Sequence, residues 1–200
     1  MEKNTPTKKP NILKRFWIFL NQDTWQSWIV SLILLIILIR FVFFPALSFI
    51  TGSELPLVIV ESCSMYHDSN FENWWERNGE WYEDKGIEKE NFENFPLKNG
   101  FSKGDIIFVW GRSEPGIGDV IIFKPNHESL APNPIIHRVV TKDPLGTKGD
   151  NGRTNSDQLR KNTNAQMLDE TDIKSEQVVG KAVFKVPFLG WIKLIFYEPF

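Results

Sequence analysis

Gly104-Asp105-Ile106-Ile107-Phe108 and Gly118-Asp119-Val120-Ile121-Ile122-Phe123 are near-copies of one another, and their reading decides the fold. Each is a Gly-Asp turn followed by a run of β-branched and aromatic residues, the pattern of a strand entered from a tight turn. Pro134 to Val140 (PIIHRVV) reads as a further strand. Val178 to Val186 (VVGKAVFKV) reads as another, with Gly180 marking a bulge. Gly, Pro and Asn punctuate the chain around these runs and helix signals are sparse. The expected fold class is therefore mainly β, with coiled antiparallel sheets rather than alternating helices and strands. Residues 143–172 read as polar and turn-rich.

Upstream the character changes. Ile29 to Ile50 is 22 residues with a single charge, Arg40. As a helix it extends about 33 Å, enough for a hydrocarbon core of roughly 30 Å. It is longer than the ~7 to 15 apolar residues of a cleaved targeting peptide and starts far from the N-terminus. One transmembrane helix is predicted over 29–50, with Arg40 snorkelling or facing a protein partner and Pro45 kinking or ending the helix. Lys3, Lys8, Lys9, Lys14 and Arg15 precede it, while no Lys or Arg occurs between it and Glu61. The positive-inside rule then makes 1–28 a cytoplasmic basic segment and 51–200 an extracytoplasmic β domain. The expected location is a cell membrane, crossed once, with the lipid bilayer as a partner.

Two hundred residues with 42% hydrophobic content suffice for that anchor and one compact domain of roughly 100 to 150 residues. The net charge of -2 offers no basic face for nucleic acid, which is not an expected partner. Cys63 is the only cysteine, so no intramolecular disulfide forms. Residues 66–99 look inserted. They mix Tyr66, Phe71, Trp74, Trp75, Trp81 and Tyr82 with nine carboxylates and four Lys or Arg. A loop or short helical excursion is expected there, its aromatics either resting at the lipid interface or forming a satellite core.

The strand-like run Pro56-Leu57-Val58-Ile59-Val60 leads into Ser62-Cys63-Ser64-Met65. Side chains alternate along an extended chain, so the two serines share a face and Cys63 turns away. One serine can attack while the other donates a hydrogen bond. A serine hydroxyl needs a base, and histidine titrates in the right range. The chain offers His67, His127 and His137. His137 lies in a strand that would hold its ring in place, and His67, three residues from Ser64, is its main rival. An acid beside the base would fix its tautomer. Lys148-Gly149-Asp150-Asn151 and Asn155-Ser156-Asp157 supply two candidates, Asp150 and Asp157.

Together these segments resemble signal peptidase I, most closely its archaeal and endoplasmic-reticulum branch. The resemblance covers about residues 46 to 190. It is carried by Thr51-Gly52-Ser53-Glu54-Leu55-Pro56 running into Val58-Ile59-Val60, by Ser-x-Ser-Met at 62–65 and by the two Gly-Asp units. His-Arg-Val at 137–139, Lys-Gly-Asp-Asn at 148–151 and Val-Gly-Lys-Ala at 179–182 complete it. It implies a membrane-anchored serine endopeptidase that cleaves signal peptides from preproteins, with no metal or organic cofactor. It also implies Ser64 as nucleophile, with Ser62 and the backbone N–H of Ser64 as oxyanion donors. His137 is then the base where bacterial members use lysine, Asp157 its partner and Asp150 a supporting carboxylate. An extended substrate would add to a sheet edge near 56–60, against Pro56, Val58, Val60 and Met65, with small side chains at positions -1 and -3. Partner subunits are left open. Two departures stand out: Cys63 replaces the usual glycine, and Tyr66-His67 replaces a residue followed by proline. The alternatives are a peptidase of narrower range and a tethered β module that binds peptides or partner subunits without catalysis.

Overall fold

The computed structural model describes residues 11–127, 129–159 and 168–197. Lys3, Lys8 and Lys9 of the basic tail lie outside them. Two compact units divide the chain, the first ending at Leu47 and the second starting at Ser48.

In the first unit, helix α1 (Ile12–Leu20) is capped by the Asn11 side chain, which accepts from the Leu13 N–H at 3.1 Å. Helix α2 (Trp25–Leu38) is capped by Thr24, a π-helical turn follows at Ile39–Phe43, and α3 covers Phe44–Thr51. The helical run Trp25–Thr51 contains an 18-residue stretch with a mean hydropathy of 2.7 and is long and apolar enough to cross a membrane. It starts earlier than the predicted 29–50 because the Thr24 hydroxyl, accepting from the Ser27 N–H, fixes the N-terminus there. Pro45 does not end it. The residue is the second after the π turn, where the regular i→i−4 ladder that proline would interrupt is already broken.

The second unit is built on one six-stranded, wholly antiparallel sheet: β1 (Leu57–Ile59), β2 (Ile106–Trp110), β3 (Val120–Phe123), β4 (Ile135–Thr141), β5 (Gly146–Lys148) and β6 (Val178–Val186). Their order across the sheet is β1-β2-β6-β3-β4-β5. The mainly β expectation holds. The long central β6 pairs with β2 and β3 in turn and slips register twice, opposite Phe108/Val109 and opposite Ile122/Phe123. The second slip is next to Gly180. Such bulges bend a strand, which lets one ribbon serve two neighbours lying at different angles.

The two Gly-Asp units fold alike. Gly104 and Gly118 have φ of 87° and 90°, and a Cβ there would meet the Trp191 or Phe95 ring at 2.2 or 2.3 Å. Asp105 accepts from the Ser102 N–H at 3.0 Å and Asp119 from the Gly116 N–H at 2.8 Å, so each carboxylate closes its own turn. Lysines of β6 then pin both turns, Lys185 to Asp105 at 3.3 Å and Lys181 to Asp119 at 2.9 Å.

Residues 66–99 are partly helical, with α4 (Phe71–Glu83), capped by Asn70, and α5 (Lys89–Glu93). Of the two expectations for its aromatics, the satellite core is the one observed. Trp74, Trp75, Tyr82, Ile87 and Phe92 are buried with Val140 of β4. The main core lies on β2, β3 and β6, around Val60, Met65, Ile107, Val109, Val120 and Ile122. A last helix, α6, spans Trp191–Tyr197.

Candidate active site

Strand β1 is a sheet edge, hydrogen-bonded to β2 alone. Its outer side opens into a cleft of 510 Å³. Residues 57–62 form one wall and residues 131–137 the other, with Met65 and Phe101 also lining it. Ser62, Ser64 and His137 are all in this lining. The predicted nucleophile and base, 73 positions apart in the chain, therefore meet at one cavity.

The hydroxyls of Ser62 and Ser64 are 3.1 Å apart. They share a face as expected, but by way of a bend at 62–63 and a turn closed by the Tyr66 N–H donating to the Cys63 carbonyl at 3.0 Å rather than along an extended strand. The backbone N–H of Ser64 donates to no other backbone group among the described residues. What holds Ser64 is the turn behind it. The Asn151 N–H donates to the Ser64 carbonyl at 2.8 Å, the Asn151 side chain donates to the Cys63 carbonyl at 2.9 Å, and the Asp150 N–H points at the Met65 sulfur at 3.4 Å. Gly149 is obligatory here, since a Cβ would lie 2.8 Å from the Ser64 carbonyl oxygen.

His137 pairs with Ile121 across β3 and β4, which fixes its ring direction. Its Nδ1 is hydrogen-bonded to Glu170, which is completely buried. A carboxylate only accepts, so the proton is on Nδ1 and the Nε2 lone pair is left to take another. Glu170 also accepts from the Thr147 hydroxyl at 3.0 Å and the Leu159 N–H at 3.2 Å. Its own backbone exchanges bonds with Leu159 and Thr147. These bonds satisfy a buried carboxylate and keep it aimed at the ring.

The acid on His137 is thus Glu170, and Asp157 is elsewhere: its exposed carboxylate accepts from the Trp81 indole at 3.1 Å. Asp150 is not on His137 either. It is wholly buried on the opposite face of β4 and accepts from Arg138 Nε at 3.0 Å and Nη2 at 2.7 Å, Tyr82 Oη at 3.1 Å and His67 Nε2 at 3.2 Å. Burial alone would raise its pKa, but the Arg138 charge and the donated hydrogen bonds override this and hold the carboxyl well below the usual range. The same burial, with the Asp150 charge, pushes the Tyr82 phenol well up. Lys148 is buried against the Trp81 and Tyr82 rings and its pKa is lowered by that burial, partly offset by the charges of Asp150, Glu170 and Asp157.

His67 does not reach the cleft lining. It stacks on Trp74 with ring centroids 3.9 Å apart and spends its Nε2 proton on Asp150. Of the predicted substrate contacts, Val58, Val60 and Met65 line the cleft. Pro56 does not: it is buried, and its carbonyl accepts from the Val109 N–H at 2.9 Å, anchoring β1 to β2. Cys63 is an exposed free thiol outside the cleft lining. Sequence reasoning missed Glu170, and its only local trace is the acidic run Asp169-Glu170-Thr171-Asp172. No group of three or more metal-ligating side chains occurs among the described residues.

No family model matches the chain. Comparison with individual proteins is informative. The chain is 26% identical over 111 residues to the signal peptidase complex catalytic subunit SEC11 of Colletotrichum graminicola, a match covering 51% of this chain and 59% of that protein. It is 24% identical over 173 residues to the protein of the same name in Verticillium alfalfae, covering 82% and 77%. For that of Lachancea thermotolerans the identity is 28% over 163 residues, covering 77% and 73%. The chain thus spans between about three-fifths and three-quarters of the length of these relatives, and the resemblance seen in the motifs is one of homology to signal peptidase catalytic subunits.

Proposed function

We propose that this homologue of signal peptidase catalytic subunits is itself a membrane-bound serine endopeptidase that removes N-terminal signal peptides from exported preproteins. The observation that carries the reading is the meeting of Ser64, its neighbour Ser62 and a carboxylate-oriented His137 at one cleft flanked by an unpaired strand edge. A substrate chain lies extended along β1, where main-chain hydrogen bonds supply affinity and alternate side chains enter the apolar lining. Val58, Val60, Ile136 and Met65 leave shallow room, which suits small residues beside the scissile bond.

His137 Nε2 removes the Ser64 hydroxyl proton as Oγ attacks the scissile carbonyl carbon. The oxyanion is met by the Ser62 hydroxyl and the Ser64 N–H, donors worth roughly 3 kcal/mol each in the transition state. The imidazolium, stabilised by Glu170, returns the proton to the departing amine nitrogen and leaves an acyl-enzyme on Ser64. Water then attacks the ester, with His137 again the base, and the acid product leaves. Ser64 and His137 share no direct hydrogen bond in the free protein, as is common before substrate aligns such a pair.

The N-terminal charges and the Trp25–Thr51 helix support a single-pass topology with the N-terminus cytoplasmic and the peptidase domain exported. The test is processing of a preprotein by the full chain in membranes. Ser64→Ala and His137→Ala are each expected to abolish cleavage while expression and membrane insertion persist. Full activity in either variant would refute the pair.

A further inference from the structure

We infer that Arg40 is the docking point for a membrane-spanning segment of another protein, one that carries a carboxylate near the middle of its span. The inference rests on reading Trp25–Thr51 as a transmembrane helix.

The apolar stretch runs from Ile29 to Ile50, and Arg40 stands 11 residues from one end and 10 from the other. At about 1.5 Å per residue the Arg40 Cα lies roughly 15 Å from either edge, at the middle of the hydrocarbon layer. Arginine can snorkel when it sits near a helix end. From the centre, its three-methylene stem falls well short of the headgroups on both sides. A guanidinium held there is costly unless it is paired, and such residues face protein rather than lipid.

Nothing among the described residues pairs it. Arg40 is exposed, and no hydrogen bond or ion pair is made by it among the described residues. Between Asp23 and Glu54 the sequence contains no carboxylate. A second copy of the chain would therefore bring a second cation to the same depth and no anion, so self-association makes the problem worse. The occupant must be a different chain, and its chemistry follows from the guanidinium: a planar fork of donors is matched by a carboxylate, two N–H groups to two oxygens. The backbone supplies a second, independent sign. Arg40 lies inside the π-helical turn Ile39–Phe43. Such turns widen the helix at the cost of regular hydrogen bonding and are frequent at functional sites.

The test uses the full chain in phosphatidylcholine vesicles, labelled with a donor dye at its sole cysteine, Cys63. The probe is a polyleucine transmembrane peptide with one central glutamate and a terminal acceptor dye, compared with its all-leucine twin. Wild-type chain is expected to associate at least about tenfold more strongly with the glutamate peptide, a preference lost in Arg40→Leu and reduced in Arg40→Lys. Equal association with both peptides would overturn the inference, showing that lipid alone satisfies the guanidinium. So would a preference that survives Arg40→Leu, or energy transfer between two labelled copies that vanishes in Arg40→Leu. Alkaline extraction and protease protection are read on the same vesicles. A wild-type chain that does not span refutes the transmembrane reading and this inference with it, whereas a spanning chain indifferent to glutamate refutes the inference alone.

Discussion

Strand β4 places consecutive residues, His137 and Arg138, on opposite faces, and each face has its own buried carboxylate and its own histidine. On one side Glu170 holds His137; on the other Asp150 holds Arg138, Tyr82 and His67. Exposure does not tell the two rings apart, for His137 is 3% accessible and His67 8%. The difference is what remains unspent. His137 has one nitrogen committed to Glu170 and stands on the cleft wall with Ser64. His67 has its Nε2 committed to Asp150, its face covered by Trp74 and its Nδ1 buried with no partner. A histidine–carboxylate pair is therefore no signature of a base by itself. The cluster around Asp150 is a brace that fixes the turn behind Ser64, while the pair at Glu170 leaves a lone pair to work with.

The sharpest way to break this contrast is to remove each ring. His137→Ala is expected to lower kcat about 10⁴-fold or more, as loss of a base does in serine peptidases. His67→Ala, counted per active site titrated with a serine-directed phosphonate, should keep kcat within about tenfold, because its ring orients a turn and moves no proton. Comparable losses in the two variants would mean that His67 is the base.

Glu170→Gln comes next. The amide keeps the shape but can donate to Nδ1 and so impose the wrong tautomer, for which a fall of about 10³ to 10⁴-fold in kcat is expected. Asp157→Asn should change kcat by no more than about twofold, since among the described residues its carboxylate accepts hydrogen bonds from the Trp81 indole and the Gln158 N–H and not from His137. Preprotein cleavage under single-turnover conditions measures both, and a larger loss at Asp157 would restore it as the partner of His137.

The sequence displayed one half of the contrast better than the other. The Gly-Asp units, the β4 run and the alternating serines are local patterns, and each produces its strand, turn or shared face through contacts a few residues away. Glu170 is different. It reaches His137 from 33 positions away, carried by backbone bonds from Thr147 on β5, a three-residue strand with no apolar alternation to announce it. Asp157 looked better only because it follows the Gly-Asp-Asn turn closely. Within residues 66–99, Phe71, Trp75, Gly79 and Tyr82 recur at helical spacing and Asn70 caps them, but interleaved carboxylates masked the stripe.

The brace has its own test. Arg138→Met leaves the Asp150 charge buried with only neutral donors, and breaking a buried pair from one side costs about 3 to 5 kcal/mol. Chemical unfolding of the full chain in detergent should show that loss, while Lys124→Met, whose partner Glu54 is exposed, should cost at most about 1 kcal/mol.

The smallest effect concerns acid. The Asp150 carboxyl titrates lower in the folded chain than in the unfolded one, so its contribution to stability is present above the unfolded value of roughly 3.9 and drains away as pH falls below it. One such group contributes a slope of at most about 1.4 kcal/mol per pH unit. Between about pH 4 and pH 2.5 the wild-type chain should therefore lose stability more steeply than Asp150→Asn, whose amide cannot titrate, even though the variant starts lower at neutral pH. Parallel slopes would show that Asp150 is not held ionised by Arg138, and the asymmetry between the two faces of β4 would then have to rest on His137 and Glu170 alone.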